Sequence, residues 1–496
     1  MPPPTQPRRI NHVIVLMLEN RSFDHMFGFF KPAAGQHVEH LSGQEFNLLD
    51  PAKPPSGTNR RFRVNEPAPF AVRDKEGPSH SFNAVCVQLC NNKSGPTPAN
   101  PARNNGFVRS YRDHLLQGSH NVDAGHIAEV MECFAPEQLP TINQLANEFC
   151  LCDHWFCEVP GPTMPNRMFI HAATSEGYVH NAFDRIFKSK TVYDLFQDKG
   201  LTWATYFHDF NEVLQFKHLG NSANHFRRFD ERWKSDVAQG NLPNYSFIFP
   251  RFMNQKDQGG GPTRFANSQH APEDVRFGEH LIADVYDALA ANETLWKESA
   301  LIVTYDEHSG FFDHVIPGPA PNPDGQNSPN PDDHANFQVP SFAFDRIGLR
   351  VPAIIASPWI PKGIVENRAL QHTSVIKTMC DLFELNGPLN NRDKSAGSFA
   401  DLFKKLNAPR PKAQMPAKLN RPSLDHIVMS FAAGVPVDPA DEPLDSLSRE
   451  WLSGIAALTA KAAPAHFAGA ATEPLPSTQG DASEFVDQRL KQAFGI

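Results

Sequence analysis

A chain of 496 residues with 40% hydrophobic and 20% charged residues has the makeup of a globular protein, long enough for a large core. Its formal net charge is −9, with lysine and arginine scattered rather than gathered into a stripe, which argues against nucleic acid as a partner. No run of about 18 apolar residues marks a spanning helix, and seven cysteines at uneven spacing give no readable disulfide framework.

The chain opens on a Pro-rich lead-in, residues 1–9. Residues 13–18 are six apolar residues in a row, which predicts a strand buried on both faces of a parallel sheet. Glu19 and Asn20 follow at its carboxyl end, where open α/β sheets bind ligands. On spacing alone the same stretch is equally a helix start, with Asn20 or Ser22 as cap and Asp24 near the dipole. Residues 30–78, rich in Gly, Pro and Asn without a period, predict a surface excursion of the kind that walls or lids a site. Helices are predicted over 85–89 and 137–149, and a strand over 150–156. Cys150, Cys152 and Cys157 with His154 between them invite a zinc reading, but buried thiols in a strand are ordinary core residues. A helix over 191–198, a strand over 201–207 with His208 behind it and a strand over 247–249 come next. A Gly-rich stretch at 255–267 precedes the clearest helix, 272–290, with Pro272 near its first position. Strands over 300–304 and 351–356, a loop over 317–331 and a helix over 373–385 complete the pattern. This alternation predicts an α/β fold with a mostly parallel central sheet and helices on both faces.

After residue 405 the texture turns to Pro, Ala and Ser, which divides the chain into a catalytic domain, 1–404, and a tail, 405–496. Two short amphipathic helices stand out in the tail. Leu447, Trp451, Ile455 and Leu458 share a face in one, and Val486, Leu490 and Phe494 in the other, behind a capping pattern at Asp481 and Glu484. Too short to build a core alone, they pack on their own domain or make a homo-oligomer by docking on another copy.

Three motifs carry chemistry. The first is Glu19-Asn20-Arg21-Ser22-Phe23-Asp24-His25. In the second, Pro160-Gly161-Pro162-Thr163-Met164-Pro165-Asn166-Arg167, the Thr163 hydroxyl would lie at the N-terminus of a helix starting by Asn166. Free N–H groups and the dipole there favour an alkoxide or a phosphoryl group, although a plain N-cap fits the same place. In the third, Asp306 and Glu307 end a buried strand ahead of Gly310-Phe311-Phe312-Asp313-His314. Adjacent strand residues face opposite ways, so both reach one site only if the backbone turns there.

These motifs resemble the signatures of the bacterial phosphoesterase family of phospholipases C and related acid phosphatases, akin to the alkaline phosphatase superfamily. The resemblance extends over roughly residues 10–390 and implies an alkaline-phosphatase-like α/β core. It also implies that Thr163 is the nucleophile, forming a phosphothreonine, and that Glu19, Asn20, Thr163, Asp306 and Glu307 bind one divalent ion. An all-oxygen set favours Ca²⁺, Mg²⁺ or Mn²⁺ over Zn²⁺. By the same resemblance His80, His208 and His270 hold phosphate oxygens and protonate the leaving group, and an imidazole is within reach of pKa values near 7. His308, His314 and His372 support them, Asp313 orients one of these histidines, and Arg167 braces the nucleophile loop or touches phosphate. The implied activity is that of a metal-dependent phosphoric ester hydrolase. A phospholipase C acting on phosphatidylcholine-like diesters, in transient contact with a membrane surface, is preferred. The alternatives are an acid phosphatase on monoesters and a non-catalytic binding protein of the same fold. Thr163 cannot serve as the aldehyde precursor that sulfatases require. Relatives often carry a twin-arginine export signal, but Arg8-Arg9 stand too close to the first strand for one. The expectation is a cytoplasmic chain as written, or one exported after processing or without an N-terminal mark.

Overall fold

The computed structural model describes residues 8–118, 122–219, 223–256, 263–330, 341–425, 440, 444–463 and 474–495. Of the expected features, residues 1–7 of the lead-in, 257–262 of the Gly-rich stretch, residue 331 and the Leu447 side chain lie outside the described residues. In chain order the strands are β1 (His12–Leu18), β2 (Phe46–Leu48), β3 (Arg61–Arg63), β4 (Cys150–Cys152), β5 (Trp155–Phe156) and β6 (Trp203–Phe207). After them come β7 (Phe226–Arg228), β8 (Tyr245–Ile248), β9 (Ser299–Tyr305), β10 (Ala353–Ala356), β11 (Ile364–Glu366) and β12 (Leu370–Gln371).

Eight strands form one sheet in the order β11-β4-β10-β9-β1-β8-β6-β7. Every pairing is parallel except those of β10, which runs against both of its neighbours. The apolar run 13–18 lies in the middle of this sheet as most of β1, with each residue at most 1% exposed, as a strand covered on both faces requires. Helices Pro140–Glu148, Phe229–Ala238 and Arg276–Ala291 pack as one group, and Thr163–Ala172, Val192–Asp198 and Thr373–Phe383 as another. This is the mixed α/β architecture expected.

Several local expectations shift. The 150–156 run splits at a turn over Asp153 and His154, so β4 joins the main sheet while β5 pairs with β12. The helix expected from Pro272 begins at Arg276, because Asp274 Oδ1 accepts the Arg276 N–H (3.0 Å) and Glu273 N turns back to the His270 carbonyl (2.8 Å). The last helix, Gln479–Phe494, is capped by Thr478 rather than at Asp481. The 30–78 excursion contains the β2–β3 hairpin. Phe62 and Val64 pack there with Val85, Leu89, Phe107, Tyr111 and Phe312 in a second apolar cluster. That cluster includes a helix, Phe107–Gln117, which the sequence reading missed.

Described residues after 405 pack against the part of the chain before it. Tyr286 donates to the Pro416 carbonyl (2.9 Å), Thr141 to that of Asn420 (2.6 Å), and Arg421 bridges Asp284 and Asp287. Helices Ser446–Ala462 and Gln479–Phe494 pack together and bury Trp451, Leu452, Ile455, Leu458, Val486 and Leu490 in the main core of their own chain. All seven cysteines are free thiols, six of them buried. Among the described residues no helix is long and apolar enough to cross a membrane.

Candidate active site

The register of two strands assembles the site. Leu18 pairs with Tyr305 across β1 and β9, so Glu19 and Asp306 leave the sheet side by side. Asn20 then takes a left-handed conformation (φ 59°), unusual for a residue other than glycine, and its N–H donates to Asp306 Oδ1 at 3.0 Å. The backbone also turns after β9. Asp306 Oδ1 accepts the Glu307 N–H and Glu307 Oε2 the Ser309 N–H, both at 2.7 Å. Gly310 closes the turn at φ 76°, where a Cβ would lie 2.9 Å from both the Ser79 carbonyl and Gln88 Nε2. This third motif therefore packs on the loop that carries His80.

Thr163 is the first residue of the Thr163–Ala172 helix, three positions earlier than its sequence suggested, with Pro162 as cap. Its hydroxyl donates to Asn20 Oδ1 (3.4 Å) and lies against Asp306. Asn166 staples the loop before the helix. Its Oδ1 accepts the N–H groups of Glu158 and Val159 (2.8 Å each), and its Nδ2 donates to the carbonyls of Gly161 and Pro162 (3.0 Å each).

His80 and His270 join this group. His80 Nδ1 faces the Pro78 carbonyl (3.1 Å), so Nδ1 carries the proton and Nε2 points its lone pair toward Asn20 Nδ2 (3.5 Å) and Glu307 (3.9 Å). The His270 ring is 5.8 Å from that of His80, and its buried Nε2 has no hydrogen-bond partner. Burial pushes His80 down to about 4 and His270 to about 3, so both are neutral in the resting site rather than poised near 7. His208 stands apart. Its Nδ1 meets the Phe249 carbonyl (2.9 Å), its Nε2 lies 3.6 Å from Asp230, and its ring stacks on Phe229.

The supporting residues sort by geometry. His372 accepts from Trp155 Nε1 (3.2 Å), so its Nε2 donates to the Asp306 carbonyl (2.7 Å) and fixes the end of β9. His308 Nε2 meets Gln88 Oε1 at 2.8 Å. Asp313 holds Arg350 (2.9 Å) rather than a histidine. Asp24, Asp313 and His314 are the trio of metal-binding types that lies closest together among the described residues, but the Arg350 guanidinium already contacts both carboxylates. A fixed cation is thus supplied there.

The carboxylates beside Thr163 differ: Arg167 touches two of them, Glu19 and Asp306, and hydrogen-bonds neither. They spread more widely, yet Glu19 Oε1, Asp306 Oδ2 and Glu307 Oε1 are all buried without a hydrogen-bond partner. Burial, and the crowding of like charges, hold Glu19 and Glu307 well above the usual carboxylate range. Buried carboxylate oxygens left without hydrogen bonds are costly, and an oxygen-seeking divalent cation is a group that would satisfy them. The residues present therefore fit the implied ion. Arg167, fully buried, contacts Glu19 (3.3 Å), Asp306 (3.4 Å) and Glu212 (3.1 Å). Burial opposes its charge, but Glu212, Glu19 and Asp306 outweigh that and raise its pKa. Glu212 and its neighbour His171 escaped the sequence reading, although Thr163, Arg167 and His171 recur at four-residue spacing on one helix face.

The model of the Phosphoesterase family matches residues 10–386 of this chain. The chain is 36% identical to non-specific phospholipase C1 of Arabidopsis thaliana over 81% of its length and 72% of the relative's. It is 26% identical to phospholipase C B of Mycobacterium tuberculosis over 84% and 80% of the two chains. A solved protein of the alkaline phosphatase superfamily from Vibrio parahaemolyticus overlaps 52% of this chain and 64% of its own at 13% identity, with a TM-score of 0.31.

Proposed function

The chain belongs to the Phosphoesterase family and is a phosphoric ester hydrolase, and from that premise we propose that it is a metal-dependent phospholipase C with Thr163 as nucleophile. The observation behind this reading is the Thr163 hydroxyl at a helix N-terminus, in one site with three buried carboxylate oxygens that form no hydrogen bond. A divalent ion bound there would supply Lewis-acid stabilisation of the alkoxide and of the phosphoryl oxygens.

The chain's own residues do the rest. Thr163 Oγ gives up its proton to water and forms a bond to phosphorus as the bond to the lipid alkoxide breaks, giving a phosphothreonine. An anionic phosphoryl group brought between His80 and His270 favours their protonated forms, and the protonated imidazole gives its proton to the leaving oxygen. Water then attacks phosphorus and returns a proton to the imidazole as the bond from Thr163 Oγ to phosphorus breaks, the phosphorylated head-group is released, and Oγ takes a proton from water to regain its hydroxyl. The names of the relatives and the threonine at the attacking position support a diester substrate drawn from a lipid surface. A site with one cation is also less well equipped for the extra charge of a monoester. The test is kcat/KM for phosphatidylcholine or nitrophenyl phosphorylcholine against nitrophenyl phosphate, at matched pH and metal. The diester is expected to win. A monoester preference above about tenfold, ~1.4 kcal/mol, assigns the chain to the phosphatases, and no turnover with any divalent ion makes it a binding protein.

A further inference from the structure

A permanent cation, Arg167, lies against two of the carboxylates assigned to the divalent ion. On the reading of Glu19, Asn20, Asp306 and Glu307 as its ligands, we propose that Glu212 is a positioning residue that holds the Arg167 guanidinium back from them and keeps the site open to the ion.

The hydrogen bonds of Arg167 carry the argument. Nη1 donates to Glu212 Oε1 at 3.1 Å, and Nη2 donates to the carbonyls of Met17 and Leu18, both at 3.4 Å. Toward Glu19 Oε1 and Asp306 Oδ2 the guanidinium stands at 3.3 and 3.4 Å without forming a hydrogen bond, and these two oxygens and Arg167 Nε are all left without one. Arg167 therefore lends its charge to the carboxylates and withholds its N–H groups, so their lone pairs stay available. A charged acceptor is the stronger partner for a guanidinium, and Glu212 is the one that Arg167 engages with a hydrogen bond.

Glu212 is itself held in place. It is fully buried at the head of a short helical turn, Glu212–Gln215. Asn211 before it accepts the Val213 N–H (3.1 Å) and donates to Thr205 Oγ1 on β6 (2.7 Å). Glu212 Oε1 also lies 3.3 Å from His171 Nε2, and His171 Nδ1 lies 3.0 Å from the Tyr193 hydroxyl. A glutamine at 212 keeps the shape and brings no charge, so the guanidinium would turn to Glu19 and Asp306 and compete with the ion for their oxygens.

The test uses the full chain, freed of metal by chelation and titrated calorimetrically with Mn²⁺ and with Ca²⁺. The wild type is expected to bind one ion, and Glu212→Gln to bind it at least tenfold more weakly, with the secondary structure of the metal-free protein retained. In an Arg167→Met background, where no guanidinium competes, Glu212→Gln is expected to change the affinity less than twofold. Wild-type affinity in Glu212→Gln overturns the proposal, and so does an equal loss with and without Arg167. Should Glu212→Gln not fold, Glu212→Asp, which keeps the charge on a shorter arm, is expected to weaken binding at least threefold, and wild-type affinity there overturns the proposal as well. If the wild type binds no ion, or Asp306→Asn binds it as well as the wild type does, the ligand assignment itself falls and takes this proposal with it.

Discussion

A threonine hydroxyl is almost wholly protonated at neutral pH, so the proposed nucleophile, Thr163, would attack only where its surroundings favour the alkoxide. Its place at the first position of a buried helix supplies part of that, and Asn20 fixes its direction. Thr163→Ala is expected to lower turnover at least about 10³-fold, ~4 kcal/mol of transition-state stabilisation, with unchanged circular dichroism. Activity within about tenfold of wild type would assign the nucleophile to another residue. Asn20 has a second role, because its left-handed backbone turns the chain at the end of β1 and brings Glu19 and its own amide to one site. Asparagine tolerates that conformation better than most residues with a side chain.

Gly454, in the Ser446–Ala462 helix, shows how closely the tail is seated. A Cβ there would fall 2.1 Å from Phe183 Cβ and 3.0 Å from its Cα, so a side chain must displace backbone. Gly454→Ala is expected to lower stability by about 1–3 kcal/mol, read as the denaturant midpoint, and to speed proteolysis within that helix. An unchanged midpoint would show that the helix shifts at no cost. Elements of this kind differ in how far the sequence reveals them. β1 was legible because a continuous apolar run has few alternatives, and the three motifs because they resemble the signatures of a known family, since position at a strand end or helix start alone fits a plain cap as well. The Phe107–Gln117 helix was not, since it runs between Gly106 and Gly118 without a side-chain cap and buries only a narrow stripe, among it Phe107, Tyr111 and Leu115. Glu212 was invisible for another reason. Its meaning comes from Arg167, 45 positions away, and only tertiary packing brings the two together. The pKa values near 7 expected of His80 and His270 failed similarly, because burial belongs to the fold and not to the motif.

Across the whole molecule, Asp24, Asp313, His314 and Arg350 join the first motif, the third motif and the approach to β10 in one buried network. His314 lies 2.7 Å from Asp24 and 3.1 Å from Glu39. Burial lowers its pKa, but the hydrogen bond and charge of Asp24 prevail and push it up to about 9. Because that lies above the unfolded value of about 6.5, the stabilisation is complete below about pH 6.5 and fades as pH rises through about 9. The stability gap between wild type and His314→Gln is therefore expected to narrow by about 2 kcal/mol between pH 6 and pH 10, measured by denaturant unfolding. A gap that stays flat would show the imidazole uncharged in the folded chain.

The central position of β1 sets a schedule for the newborn protein. Its partners, β8 and β9, begin at Tyr245 and Ser299, so β1 leaves the ribosome before both of its neighbours and must wait for them. At roughly 5–20 residues per second that wait lasts about 15–60 s. Throughout it, the apolar run 13–18 has both edges unpaired, a state open to wrong pairing. The same delay is a safeguard. Glu19 cannot meet Asp306 until β9 has been delivered, so an unfinished chain has no assembled site with which to cleave a phosphoric ester.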